Sequence, residues 1–291
     1  MTDTAVSETA PVSEQVARSA SPRLRDAVQR MVGYRLAGHR PGTHAGLPSP
    51  TITVIIAFDE PLTLSVLPDG RPEPVTMWAM ASGLHDRPAT ILHDGNQHGV
   101  QLDVSPLHTR ALFGVPSGAL CRQVAPLDEL LGDHASELLD RLDTSAGWGD
   151  RFDVVDAVLS ARLDELDGRR GGEVRHELVH AWTRLCDDGA PVATVAEELG
   201  WSRRHLRAQF RTEFGLNPST VARVARFHRA QHWVRGHPEE SLAVAAAWCG
   251  YSDQSHMTRE WSELAGSPPR SWLRDEEFPS VQDHERVEIA G

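Results

Sequence analysis

The chain has 291 residues, of which 40% are hydrophobic and 24% are charged, and this ordinary globular composition excludes a collagen-like or wholly disordered protein. At roughly 150 residues per domain, the length predicts two domains, each with its own core. The formal net charge is −12, which disfavours a nucleic-acid partner unless the positive side chains are clustered.

The first 22 residues are rich in Ser, Thr, Ala and Glu and show no periodicity. This composition predicts a disordered leader over residues 1–22. The segment lacks the basic start and apolar core of a signal peptide, and no apolar run approaches the roughly 20 residues needed to cross a bilayer. We therefore expect a cytoplasmic protein without a membrane partner.

Residues 23–125 place short β-branched runs between frequent Gly and Pro residues. The runs at 51–58, 62–67 and 99–104 are typical of strands separated by turns. This region is therefore predicted to form a β-sandwich or β-barrel. Trp78 and Met80 are interpreted as residues of its core rather than as the lining of a pocket.

Six histidines also fall in this region, and clustered imidazoles can bind transition metals. No His-X-His pair with a downstream Glu and His accompanies them. We interpret them as ordinary surface or core residues and predict neither a metal site nor a cofactor. The six are His39, His44, His85, His93, His98 and His108.

After Pro126 the leucines recur at helical spacing, with an interruption near Gly132. This pattern predicts two connecting helices over residues 126–171. The Gly-rich, charged stretch 167–172 is the predicted domain boundary. Everything from 172 to about 275 has helical character, and 276–291 is interpreted as a C-terminal tail.

The region 172–275 contains an internal near-repeat with a period of about 50 residues. Leu199-Gly-Trp-Ser202 recurs as Cys249-Gly-Tyr-Ser252, between a short apolar helix and an amphipathic helix, and the second copy has one extra residue after the turn. Gly can end the first helix in the left-handed conformation, and Ser can cap the second helix. The layout is that of two helix-turn-helix units.

The basic residues are clustered in the first of these units and in the helix that follows it. From Trp201 to Arg235 there are eight arginines and one acid, Glu213, which gives this segment a formal charge of about +7. A capped helix N-terminus can meet a phosphate while the next side chains point into the groove. The predicted DNA-binding residues are Ser202, Arg203, Arg204, Arg207, Arg211, Ser252, Asp253, Gln254, Ser255, Thr258 and Arg259.

Residues 173–274 resemble the AraC/XylS regulators. The motifs that carry the resemblance are Leu199-Gly-Trp-Ser-Arg-Arg-His-Leu206, Phe214-Gly-Leu-Asn-Pro218 and Cys249-Gly-Tyr-Ser-Asp-Gln-Ser-His256. The sequence departs from the usual pattern at Met257, Trp261 and Leu273. By this similarity the groove-facing positions are Arg204, Arg207 and Ala208 in the first unit and Gln254, Ser255, Thr258 and Arg259 in the second.

The resemblance implies an α+β protein with several domains: an N-terminal cupin-like β-barrel that senses an effector or dimerises, connecting helices, and an all-α double helix-turn-helix domain. The expected function is that of a one-component transcriptional activator or repressor, not an enzyme. Its expected partners are double-stranded DNA, a small-molecule effector, a second copy of the chain and, for an activator, RNA polymerase. Two alternatives stay open, a metal-dependent cupin-type enzyme fused to the DNA-binding module and a ligand-free interaction domain.

Overall fold

The computed structural model of the chain describes residues 10–167, 173–275, 278–279, 281 and 288–289. Its strands are β1 (Val12–Arg18), β2 (Val28–Ala37), β3 (Gly42–Gly46), β4 (Ile52–Ala57), β5 (Leu62–Val66), β6 (Val75–Met77), β7 (Ala79–Ser82), β8 (Ala89–His93), β9 (Gln97–Val104), β10 (Val124–Pro126) and β11 (Glu288–Ile289). Its α-helices are α1 (Thr109–Phe113), α2 (Leu127–Leu131), α3 (Asp133–Asp143), α4 (Trp148–Leu166), α5 (His176–Cys186), α6 (Val192–Glu198), α7 (Arg203–Phe214), α8 (Pro218–Gly236), α9 (Leu242–Trp248), α10 (Gln254–Ala265) and α11 (Pro269–Asp275). A short 3-10 helix lies at Ser117–Leu120.

The strands form two separate sheets. The larger has the order β10-β7-β4-β9-β2-β1-β11 and the smaller has the order β3-β8-β5-β6. Neighbouring strands are antiparallel, except that β11 lies parallel to β1. The predicted β-rich N-terminal domain and helical C-terminal domain are confirmed, and the two sheets do not close into one barrel.

A small apolar cluster joins the two sheets. Ile55 on β4 and Met80 on β7 pack with Leu64 on β5 and Ile91 on β8. The other face of β4 belongs to the main core, where Ile52, Val54 and Ile56 are almost fully buried. A strand that is covered on both faces reads as a continuous apolar run, which explains the sequence of β4.

The connecting helices follow the predicted apolar stripe, but the described region contains three helices rather than the two predicted. Gly132 has φ 58° and ψ −135°, a conformation that a residue with a side chain rarely adopts. It separates α2 from α3, so the region contains three helices. Leu138, Leu142 and Phe152 pack from these helices against the larger sheet.

Two expectations for the β-rich domain need correction. The segment predicted as a disordered leader contains β1, which pairs with β2 along its whole length, and its apolar Val16 reaches the main core. Trp78, predicted to be buried, is 50% exposed, whereas Met80 is 2% exposed. Trp78 lies between β6 of the smaller sheet and β7 of the larger one, and the crossover turns its side chain outward.

The predicted C-terminal tail also contributes to the N-terminal domain. Phe278 is 5% exposed and its ring stacks on His93 with centroids 3.8 Å apart. Arg30 donates a 3.0 Å hydrogen bond to the carbonyl of Val281. Of the predicted boundary 167–172, residues 168–172 lie outside the described part of the chain.

The C-terminal domain has two apolar centres, and α8 lies between them. Val221 and Ala225 on α8 belong to the main core, which is continuous with the N-terminal domain. Val224, Phe227, Ala230 and Val234 belong to a second cluster around α9, α10 and α11. Among the described helices, none combines the length and apolar character needed to span a bilayer.

Candidate nucleic-acid interface

The first helix-turn-helix unit consists of α6, a tight turn and α7. Gly200 has φ +65° and supplies the left-handed residue that ends α6. Ser202 is the N-cap of α7, and its side chain accepts a 3.1 Å hydrogen bond from the backbone N–H of His205. Both features agree with the roles predicted for these residues.

The two sides of α7 differ completely in exposure. Leu206, Phe210 and Phe214 are fully buried in the main core. The other side is exposed and carries Arg203, Arg204, Arg207, Ala208 and Arg211. Within the described part of the chain, none of these four arginines forms an ion pair, so their guanidinium groups are available to an anionic partner.

The second unit, α9 to α10, repeats this arrangement with a different cap. Gly250 has φ +78° and ends α9. The N-cap of α10 is Asp253, whose carboxylate accepts a 2.7 Å hydrogen bond from the backbone N–H of His256. The expectation that Ser252 caps α10 is therefore wrong. The extra residue after the turn moves the cap by one position, and Ser252 donates to the carboxylate of Asp253 instead.

The outer face of α10 carries little net charge. Gln254, Ser255 and Arg259 are exposed and Thr258 is half-buried. The backbone hydrogen bond from His256 holds the pKa of the Asp253 carboxyl below its ordinary value, so this residue is an anion at neutral pH. Its negative charge offsets that of Arg259, and the face offers hydrogen-bonding groups rather than a cationic surface.

The arginines of the connecting helix α8 are less available than their number suggests. Arg223 pairs with Glu263 at 3.0 Å and Arg226 binds Glu260 in a fork at 2.7 to 3.1 Å. Arg229 donates to the backbone carbonyl of Cys186. These groups hold α8 to its neighbours, so the charge predicted for the whole basic segment is concentrated on α7.

Three of the six histidines of the N-terminal domain lie around one aromatic ring, and two others have polar partners elsewhere. His39, His44 and His93 surround the ring of Phe278. His98 pairs with Asp59 at 2.9 Å, and His85 bonds to the carbonyl of Arg87 at 2.6 Å. Among the described residues, no group of three or more His, Cys, Asp or Glu side chains is placed to hold a metal ion.

A cavity of about 60 Å³ lies between the two sheets. Its polar lining includes Tyr34, His44, Gln97 and Gln101. The Nδ1 atom of His44 and the Nε2 atom of Gln97 are buried and have no hydrogen-bond partner among the described residues. Burial lowers the pKa of His44 to about 3 and raises the pKa of the Tyr34 phenol, so both side chains are neutral at pH 7.

Comparison with known proteins agrees with this architecture. Residues 195–275 match a family model described as a helix-turn-helix domain, which confirms the resemblance to AraC-type regulators for this domain. The structure of ToxT from Vibrio cholerae O395 superposes with a TM-score of 0.51 and 12% identity, covering 86% of this chain and 98% of that one. A second crystal form of ToxT from Vibrio cholerae gives 0.51 and 12%, covering 85% and 98%. No curated protein matches the sequence.

Proposed function

We propose that this chain is a sequence-specific transcription regulator that reads double-stranded DNA with both recognition helices, α7 and α10. The observation that carries the proposal is that each helix is capped, buried along one side and exposed along the other. A helix presented in this way fits the major groove, where its first residues reach the base edges.

The two helices are proposed to divide the work of recognition. Arg203, Arg204, Arg207 and Arg211 on α7 suit phosphate oxygens and the two acceptors of guanine. Gln254 and Ser255 on α10 suit the donor and acceptor pattern of other base edges. Phosphate contacts position a protein on the duplex, and base contacts specify the sequence.

Selection of bound duplexes from a random pool, with the full chain as bait, tests the proposal. We expect an enriched site with two conserved blocks separated by about one helical turn, roughly 10 base pairs. Enrichment of a single block would contradict reading by two helices. A pool that stays random at moderate salt would contradict sequence-specific binding altogether.

The N-terminal domain is proposed to respond to a small uncharged molecule bound between the sheets. Among the described residues, those that line the cavity include no carboxylate or arginine, and His44 and Gln97 each have a buried polar atom without a hydrogen-bond partner. The volume of about 60 Å³ is well below the roughly 300 Å³ typical of ligand pockets. Binding therefore requires the cavity to widen at its wall, which includes Val281.

Thermal-shift screening of uncharged polar compounds tests this second part. A ligand that binds only the folded state raises the melting temperature, and the His44→Phe variant is expected to lose that shift because it removes a polar group and fills space. A hit that stabilises both proteins equally would place the ligand elsewhere.

The resemblance also predicts a homodimer and, for an activator, a contact with RNA polymerase in the cytoplasm. Sedimentation of the purified chain tests the dimer.

A further inference from the structure

Glu213 is the one acid in the basic segment 201–235, and it is 7% exposed. It lies two residues before Gly215, the left-handed residue that ends α7. The equivalent position before Gly266 in the second unit is Leu264, which is fully buried. The helix-turn-helix fold therefore accepts an apolar residue here, and the charge of Glu213 has another reason.

That reason is Arg110, which belongs to α1 of the N-terminal domain. Its Nε and Nη2 atoms donate to the two carboxylate oxygens of Glu213 at 2.8 and 2.9 Å. Burying a carboxylate is unfavourable unless a partner neutralises it and satisfies its hydrogen bonds. The planar guanidinium group satisfies both oxygens at once and fixes the relative orientation of the two side chains.

The backbone around Glu213 fits the same part of the N-terminal domain closely. The hydroxyl of Ser117, itself fully buried, donates to the carbonyl of Glu213 at 3.2 Å. A Cβ atom on Gly118 would lie 2.9 Å from the backbone nitrogen of Gly215, which is closer than such atoms approach. Leu120 and Phe214 continue the contact within one apolar cluster.

Among the described residues, no ion pair joins the second recognition helix to the N-terminal domain. Its cluster receives Leu47 and the partly buried Ala45 from the N-terminal domain, and its ion pairs with arginine, Arg226 with Glu260 and Arg223 with Glu263, lie within the C-terminal domain. Contact with Arg110 leaves the arginine face of α7 exposed, so the docked arrangement is compatible with DNA binding.

We propose that Arg110 is a positioning residue for DNA recognition, through which the N-terminal domain sets the orientation of α7 on the duplex. The inference rests on the proposed function and adds a residue outside the DNA-binding domain to it. It also gives the N-terminal domain a path to the first recognition helix through an ion pair, in addition to the apolar contacts that this domain makes with both cores.

The test compares the affinities of full-chain variants for the duplex obtained by selection. All measurements are made at one salt concentration and at a temperature where circular dichroism shows each variant to be folded. Arg110→Ala is expected to weaken specific binding about tenfold, within the range of coupling effects of residues that do not touch the ligand. Arg110→Lys keeps the charge but loses the two parallel hydrogen bonds of the guanidinium group, and its loss of affinity should be intermediate. Arg141→Ala breaks an exposed pair with Glu137 on α3 and serves as the matched control with unchanged affinity.

Double variants separate positioning from general stability. When Arg110→Ala is combined with Arg207→Ala, the loss should be smaller than the product of the single losses, because a displaced α7 has already weakened the contact of Arg207. When Arg110→Ala is combined with Arg259→Ala on α10, the two fold-losses of affinity should multiply. Equal affinity of Arg110→Ala and wild type, or multiplication in both combinations, would overturn the inference. Failure of the wild type to bind any selected duplex would instead overturn the proposed function.

Discussion

At the scale of single residues, the caps of the two recognition helices offer a direct comparison. Ser202 and Asp253 each accept a hydrogen bond from a backbone N–H of the first turn. Replacing either by Ala is expected to lower the free energy of unfolding by about 1 kcal/mol, as measured by urea denaturation. Ser252→Ala is the matched control, and a loss as large as that of Asp253→Ala would show that the cap lies at Ser252.

Asp253→Asn separates the cap from the charge. Asparagine caps a helix about as well as aspartate, so stability should be nearly unchanged. Affinity for DNA should rise, because an anion no longer faces the phosphates. Weaker binding of this variant would indicate that the carboxylate itself accepts a hydrogen bond from a base.

His44 makes the stability of the protein dependent on pH. Burial, with a smaller contribution from neighbouring His93, lowers its pKa to about 3, against an ordinary value of about 6.5. The unfolded chain therefore binds a proton that the folded chain excludes between those two values. Above about pH 6.5 the burial of neutral His44 does not reduce the free energy of unfolding. As the pH decreases below this value, the free energy of unfolding falls by at most about 1.4 kcal/mol per pH unit.

Urea denaturation of wild type and His44→Gln at pH 7.5 and pH 5 measures this contribution. The variant cannot take up that proton, so its stability should fall less over this interval. Identical losses for the two proteins would mean that His44 stays accessible to solvent in the folded state.

Residue-level sequence patterns predicted the composition of the recognition helices but not the partners of their side chains. The repeat located Gly200, Gly250 and Ser202, because local turn geometry demands particular residue types at fixed spacing. It could not show that Arg226 is bound by Glu260, or that Glu213 faces Arg110, which lies 103 positions earlier in the chain. Pairing across domains depends on tertiary structure, which one sequence does not display.

At the scale of elements, the segments with an apolar pattern were predictable and those with a largely polar sequence were not. The strands β4, β5 and β9 and the helices α2 to α4 match apolar patterns of the expected period. Strand β1 was missed because its residues Val12–Arg18 are largely polar. A strand that is only partly covered buries few side chains, and its pairing is then determined by backbone hydrogen bonds rather than by an apolar pattern.

The packing of Phe278 ties the C-terminal segment to the smaller sheet. Phe278 is 5% exposed and its ring packs against the rings of both His93 and His44, with centroid distances of 3.8 and 5.0 Å. Phe278→Ala is expected to lower the free energy of unfolding by about 3 kcal/mol. Leu273→Ala on α11, where the side chain is 39% exposed, is the control and should have a much smaller effect. Comparable losses would mean that Phe278 is not held in this site in solution.

At the scale of the whole molecule, the two recognition helices are attached unequally. The first unit shares a continuous core with the N-terminal domain, whereas the second has a separate core to which that domain contributes Leu47 and Ala45. Helix α8 contributes to both cores and holds the units together. A change in the N-terminal domain can therefore reach α7 through an ion pair and a shared core, whereas, among the described residues, the second core receives Leu47 and Ala45 alone from that domain.

The unequal charge of the two units predicts how binding depends on salt. The face of α7 carries four arginines without ion pairs in the described structure, while on α10 the charges of Asp253 and Arg259 offset each other. Each phosphate contact that is lost lowers the slope of log affinity against log salt by about 0.9. We expect this reduction for Arg203→Ala and for Arg211→Ala in titrations between low and moderate salt. Gln254→Ala should leave the slope unchanged and cost about 1 to 3 kcal/mol at every salt concentration, because it removes a base contact. A reduced slope for Gln254→Ala, or an unchanged slope for both arginine variants, would show that the phosphate contacts lie elsewhere on the molecule.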